Sequence, residues 1–149
     1  MKKTHWIIAG AAGAALAAAA AGGAAWAHHA FAAEFDGKAP VLLRGKVTRI
    51  EWINPHAWVH IAVPGQNGET VAWMVEGGTP NTLLRAGIDR NTLQKGTEII
   101  VRGYQSKDKL CKPACKANGR DVTFPDGRKL FMGSSGTGAP KDGADATEK

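Results

Sequence analysis

The sequence predicts a mainly β protein, a small OB-fold-like antiparallel β-barrel with one short helix between strands 3 and 4. Three observations lead to this prediction. Segments that alternate apolar and polar residues recur, separated by turns rich in Gly, Pro and Asn. A single stretch of helix signals interrupts them at residues 79–87. The resulting order, three strands, a helix and further strands, is that of the five-stranded OB-fold. An open antiparallel β-sandwich is the alternative, and the helix disfavours it.

The first strand, predicted at Val41–Trp52, is expected to bend. Leu43 and Val47 share one face, whereas Ile50 and Trp52 are apolar on the opposite parity. This change of parity predicts a β-bulge or strong bend after Val47, a feature with which small barrels curl a strand.

The second strand, Ala57–Val63, follows the turn "INPH". Val59 and Ile61 are predicted to face the core and Trp58 and His60 the other side, because successive side chains of a strand alternate. Further strands are predicted at Thr70–Glu76, at Thr97–Tyr104, and in a last hairpin of Arg120–Phe124 and Lys129–Met132 around "PDGR".

The helix is predicted from its start and stop signals. Thr79 is a typical N-cap, Pro80 occupies the first helical position, and Gly87 follows the end. The next segment, "DRNTLQKG", predicts a turn that leads into the fourth strand.

Residues 1–27 have the pattern of a secretory signal peptide. Two lysines near the start precede an uncharged run rich in Ala and Gly, which ends in "AWA". Cleavage after Ala27 makes His28 the first residue, and cleavage after Ala25 makes it Trp26. A retained membrane anchor is the alternative, but Ala and Gly contribute little to insertion and no basic cluster follows. We therefore expect a periplasmic or secreted protein with no stable membrane anchor after cleavage.

The mature chain is predicted to be one OB-like domain with an N-terminal arm, residues 28–133, and a disordered tail, residues 134–149. Cleavage removes two of the 19 Lys and Arg residues and none of the 13 Asp and Glu residues, which leaves a net charge of about +4. The basic residues are scattered rather than gathered in a stripe, and export also argues against nucleic acid. The expected partner is a small ligand or a periplasmic protein.

Both cysteines lie in one short loop, at Cys111 and Cys115. An oxidising compartment favours a disulfide between them. A C-x3-C metal or redox site is the alternative, although the C-x-x-C spacing and a nearby third ligand are missing.

Four segments occur together and in a characteristic order: "HHAFAAEFD", "VTRIEWINPHAWVHI", "NTLLRAGIDRNTLQKG" and "FPDGRKLFMG". With them the chain resembles an uncharacterised family of exported bacterial proteins, domain-of-unknown-function 6152, from His28 to about Gly133. The resemblance implies no reaction and no catalytic residues. The C-x3-C segment around Cys111 is unlike the usual loop of the family.

The histidines that remain after cleavage are the candidate metal ligands. Copper(II) favours imidazole and amine nitrogens, and an N-terminal histidine offers its amine and its Nδ1 in one chelate ring. A histidine from elsewhere then completes a three-nitrogen site. The candidate ligands are His28, His29, His56 and His60.

Only one of the two later histidines is expected to join such a site. His56 and His60 are about 13 Å apart on a straight strand at 3.3 Å per residue, and His56, in the turn, is preferred. If the chain begins at Trp26, its amine, two amide nitrogens and the His28 imidazole bind copper or nickel instead. The alternative is that no metal binds, with His28 in a solvated arm and His56 bonded to backbone.

Trp52 and Trp58 are candidates for stacking a ligand, because OB-folds often bind ligands on aromatic residues of their outer face. The alternative is that these rings pack beneath the N-terminal arm against Phe31 and Phe35.

No arrangement of catalytic residues is recognisable. The carboxylates of Glu34, Asp36, Glu51 and Glu76 are scattered and would pair only through tertiary contacts, and the phosphate-binding pattern with its lysine is missing. The sequence therefore predicts an exported, non-catalytic small binding protein of unknown ligand. The alternative is a periplasmic copper-binding protein that uses the mature N-terminal histidine.

Overall fold

The structure, a computed structural model, describes residues 31–133. Residues 31–34 are helical and lead directly into the first strand. The predicted signal peptide, His28, His29 and the predicted tail lie outside the described residues. The elements are β1 Phe35–Glu51, β2 Trp58–Pro64, β3 Thr70–Glu76, α1 Pro80–Arg85, β4 Glu98–Ser106, β5 Cys115–Thr123 and β6 Lys129–Phe131.

The strands form one mainly antiparallel sheet in the order β3-β2-β1-β4-β5-β6. β3 also pairs with β5, and this pairing is parallel. The prediction of a mainly β chain with a helix between the third and fourth strands is confirmed. Six strands occur in the described range where the five-strand order was expected, because the last hairpin adds β6 to the edge of β5.

The predicted starts of two strands are wrong. β1 begins at Phe35 and not at Val41, because its first half is paired with β4. β5 begins at Cys115 and not at Arg120, because its first residues pair with β3. Both additional segments depend on long-range pairing, which local alternation of residue types does not reveal.

β1 bends where the change of parity predicts it. The register with β2 shifts between Val47 and Arg49. Just before the shift the two backbones come very close, since a Cβ on Gly45 would clash with the carbonyl oxygen of Ala62. Only glycine permits that approach.

The core lies on the inward side of the strands, as predicted. Val59, Ile61, Val75 and Val101 are each at most 1% exposed, and Leu83 of α1 packs with them. Burying a side chain of this size contributes about 1.5–3 kcal/mol, so these residues fix which face of each strand turns outward.

The helix has the predicted ends. Thr79 is the N-cap, and its Oγ1 accepts a hydrogen bond from the Thr82 backbone N–H at 3.1 Å. Gly87 follows with a φ of 84°, which favours glycine. No helix within residues 31–133 combines the length and apolarity needed to cross a bilayer.

Candidate functional site

The outward side of the sheet carries a band of polar and aromatic side chains near the start of β2. The register places Trp58 beside Glu51 of β1 and Glu76 of β3, and places Glu76 beside Asn118 of β5. The residues that alternate with them on β2 and β3 belong to the core. We call this band the polar face; its members are Glu51, Trp58, His60, Glu76 and Asn118.

One end of the polar face is a charged triad on β1 and β2. The Nε2 of His60 lies 3.0 Å from Oε1 of Glu51 and 3.2 Å from Nη2 of Arg49. Arg49 and Glu51 form an ion pair at 2.7 Å. Burial and, secondly, the Arg49 charge lower the pKa of His60, and Glu51 opposes them. Because its Nε2 already has protein partners, His60 is poorly placed to bind a further ligand through that atom.

The other end holds a buried carboxylate. Glu76 is only 8% exposed, and its Oε1 accepts a hydrogen bond from Asn118 Nδ2 at 3.1 Å. Burial raises the pKa of Glu76. A protonated His56 and the Asn118 hydrogen bond act in the opposite direction, whereas the Glu34 carboxylate adds to the rise.

His56 lies beside this carboxylate because the turn before β2 is held to the end of β3. The Gly77 N–H donates to the Ala57 carbonyl oxygen at 2.8 Å, and the Ala57 N–H donates to the Gly78 carbonyl oxygen at 3.0 Å. His56 Nδ1 lies 3.3 Å from the carbonyl oxygen of Gly77 and 3.8 Å from Oε1 of Glu76. A carbonyl oxygen only accepts, so a neutral His56 carries its proton on Nδ1 and keeps the Nε2 lone pair available for a ligand.

The described part of the N-terminal arm, residues 31–34, packs next to the polar face. The Phe31 ring is edge-on to Tyr104 at 5.6 Å and lies 5.8 Å from Phe35. These three rings form a small cluster of their own, apart from the main core. The Lys107 N–H donates to the Glu34 carbonyl oxygen at 2.9 Å. Tyr104 is in register with Asn118, so the arm lies within two strands of Glu76.

The two tryptophan candidates occupy different environments. Trp52 packs against the main core, with the Arg90 guanidinium 5.6 Å from its ring centre. Trp58 is half-buried on the polar face. Phe31 and Phe35, the residues against which the tryptophans would pack in the alternative prediction, form a cluster with Tyr104.

The cysteine loop joins β4 to β5. The sulfur atoms of Cys111 and Cys115 lie at disulfide-bonding distance, as the sequence led us to expect. Within residues 31–133 no group of three or more His, Cys, Asp or Glu side chains is arranged to hold a metal ion. Two potential ligands, His56 and Glu76, do lie together, and the sequence placed only the first of them in a site.

The chain matches the model of a known protein family. The model of a family of unknown function, DUF6152, matches residues 4–112, well over half of the chain. The chain belongs to this family. The match spans the arm, β1 to β4 and all of the polar face except Asn118, and it ends inside the cysteine loop. No curated protein matches the chain.

Proposed function

We propose that this member of the family is an exported, non-catalytic binding protein, built as an OB-like barrel, that works in the periplasm or outside the cell. The barrel proposal is supported by the pairings: β1 pairs with β2 and β4, and β3 with β2 and β5. Together with the β4–β5 pairing these join five strands in the OB-fold order. Export is supported by the pattern of residues 1–27.

The observation that supports binding is the buried carboxylate of Glu76. A carboxylate in a low-dielectric site costs free energy unless it is fully paired, and an apolar residue in a strand avoids that cost. Carboxyl groups with a pKa raised by burial, next to a histidine, are common at functional sites. We therefore place the ligand site on the polar face, around Glu76 and His56.

The substitution Glu76→Gln tests whether the buried, ionised carboxylate of Glu76 lowers the free energy of unfolding. Because the folded-state pKa of Glu76 is raised, its contribution to stability is present below its ordinary pKa of 4.5 and is lost as the pH rises through the folded-state value. We expect Glu76→Gln to be more stable than the wild type at pH 7.5 and to lose this advantage near pH 4. The glutamine can still accept from Asn118.

The matched control is Glu69→Gln, an exposed glutamate before β3, which should leave stability unchanged at both pH values. A Glu76→Gln protein that is about 1 kcal/mol or more less stable at pH 7.5 would mean that Glu76 serves the fold rather than a ligand. Export is tested separately by cell fractionation and by mass determination of the mature N-terminus; a cytosolic protein that begins at Met1 would contradict it.

A second candidate, copper(II) binding, is favoured by the position of the arm. The arm is fixed at Phe31, two strands from the His56–Glu76 pair. Phe31 is three positions after His28, and an extended chain of that length reaches about 10 Å. Two strand spacings are also about 10 Å, and we therefore propose that the N-terminal amine and imidazole of a mature chain beginning at His28 reach His56.

The chemistry of these groups suits copper(II). Amine and imidazole nitrogens, with a carboxylate oxygen nearby, are ligands for its tetragonal geometry. Within residues 31–133 the Nε2 of His56 has no hydrogen-bond partner, whereas Nε2 of His60 contacts Glu51 and Arg49. His56 is therefore the histidine of the folded domain that we assign to the site, with His28 and His29 supplied by the arm.

Copper(II) titration of the mature protein tests this assignment. We expect tight binding that is lost in His28→Ala, lost when one residue is added before His28, weakened in His56→Ala and retained in the control His60→Ala. No binding at micromolar copper would overturn the proposal. Binding that is indifferent to His56 in a chain beginning at Trp26 would indicate a site made by the N-terminal backbone alone.

A further inference from the structure

A concave region lies at the end of β2 that is farther from Glu76. It is a cavity of about 520 Å³, within the range of small-molecule sites. Trp58, the register partner of Glu76, and Ala62, which lines the cavity, are four residues apart on β2, or about 13 Å at 3.3 Å per residue. His60 of the polar face lies between them. Most of the lining is apolar, with Ala62, Ile100 and Phe124 among its members.

One cation at the cavity has no acidic partner among the described residues. Lys46, on the rim, is paired with Glu98 at 3.3 Å. Arg44, also on the rim, is exposed and takes part in no ion pair within residues 31–133. The register places Arg44 directly beside Ile100, so a positive charge adjoins the apolar wall.

We propose that this cavity binds a small organic anion with an apolar body and one carboxylate, and that Arg44 is the partner of the carboxylate. The apolar lining disfavours a ligand that is polar throughout, and the charge of Arg44 favours an anion over a cation. The chain's own residues 134–149 are poor occupants, because they contain no apolar side chain larger than proline.

Octanoate is the probe, followed by amide chemical shifts of the 15N-labelled mature protein. We expect saturable shifts at residues around the cavity, about tenfold weaker binding in Arg44→Gln, and no change in the control Arg85→Gln, an exposed arginine on α1. Octanamide, which has the same body without the charge, should bind the wild type and Arg44→Gln equally.

The cavity itself is tested by filling it. Ala62→Phe should abolish octanoate binding, whereas Ala72→Phe should not, because Ala72 is the exposed register partner of Ala62 on β3 and does not line the cavity. Absence of saturation up to about 10 mM octanoate, or equal binding by these two variants, would overturn the proposal. Equal weakening of octanoate binding in Arg44→Gln and Arg85→Gln would show that Arg44 is not the partner of the carboxylate.

The outcome is separable from that for the polar face. His56→Ala and Glu76→Gln change the other end of β2 and should leave octanoate binding unchanged. If the mature wild type binds octanoate but not copper(II), the copper proposal fails. If it binds copper(II) but not octanoate, the cavity proposal fails.

Discussion

Replacing Phe31 by Ala tests whether the arm is anchored by its aromatic contacts. Phe31 is 6% exposed, and burial of a phenylalanine contributes about 1.5–3 kcal/mol. Its edge-on contact with Tyr104 adds about 0.5–1.5 kcal/mol. We expect Phe31→Ala to lower the free energy of unfolding by about 2–4 kcal/mol, the smaller value applying if the cluster partly collapses.

Urea denaturation of the mature protein measures this loss, and Phe131→Ala is the matched control. Phe131 is 50% exposed, so the same substitution should change the free energy of unfolding by less than about 1 kcal/mol. If the mature protein binds copper(II) as proposed, Phe31→Ala should also weaken that binding, although it removes none of the proposed ligands. Equal stability losses in the two variants would refute the reasoning about the anchor.

Three other perturbations have defined outcomes. Arg49→Gln should raise the pKa of His60, measured by NMR titration, because it removes one of the two causes that lower it. Since His60 has a lowered pKa in the folded state, its protonation should cost the wild type stability as the pH falls below 6.5, and Arg49→Gln should lose less. An unchanged titration midpoint of His60 would contradict the assigned cause. Reduction of the Cys111–Cys115 pair opens a loop of about five residues and should lower the free energy of unfolding by about 2 kcal/mol; a reduced protein of unchanged stability would contradict this. Thr79→Ala removes the N-cap of α1 and should lower the free energy of unfolding by about 1 kcal/mol, measured in urea, and a loss below about 0.3 kcal/mol would show that the cap is dispensable.

The parts of the fold that could be predicted are those written in local patterns. The bulge after Val47 follows from a change of parity within one strand, and α1 follows from Thr79, Pro80 and Gly87. The starts of β1 and β5 could not be predicted in this way. Their first residues are strand because distant partners, β4 and β3, supply hydrogen bonds to them.

Of the candidate site, His56 could be predicted from the sequence, whereas Glu76 and Asn118 could not, for a related reason. His56 stands out because histidine is a common ligand and occurs in a turn. Glu76 has the parity of a solvated strand residue, and its burial depends on what covers the outward side of the sheet. Asn118 lies in a segment assigned to the cysteine loop, so its hydrogen bond to Glu76 had no local signal.

The burial of Glu76 also connects the arm to the site. The Glu34 carboxylate, carried by the arm, raises the pKa of Glu76, so docking of the arm disfavours the ionised form of Glu76. By linkage, ionisation of Glu76 must disfavour docking of the arm to the same extent. A cation held between Glu76 and His56 would remove this repulsion and favour the docked arm. In the proposed copper site, binding of the ion to Glu76 and His56 would therefore favour docking of the arm that carries the remaining ligands.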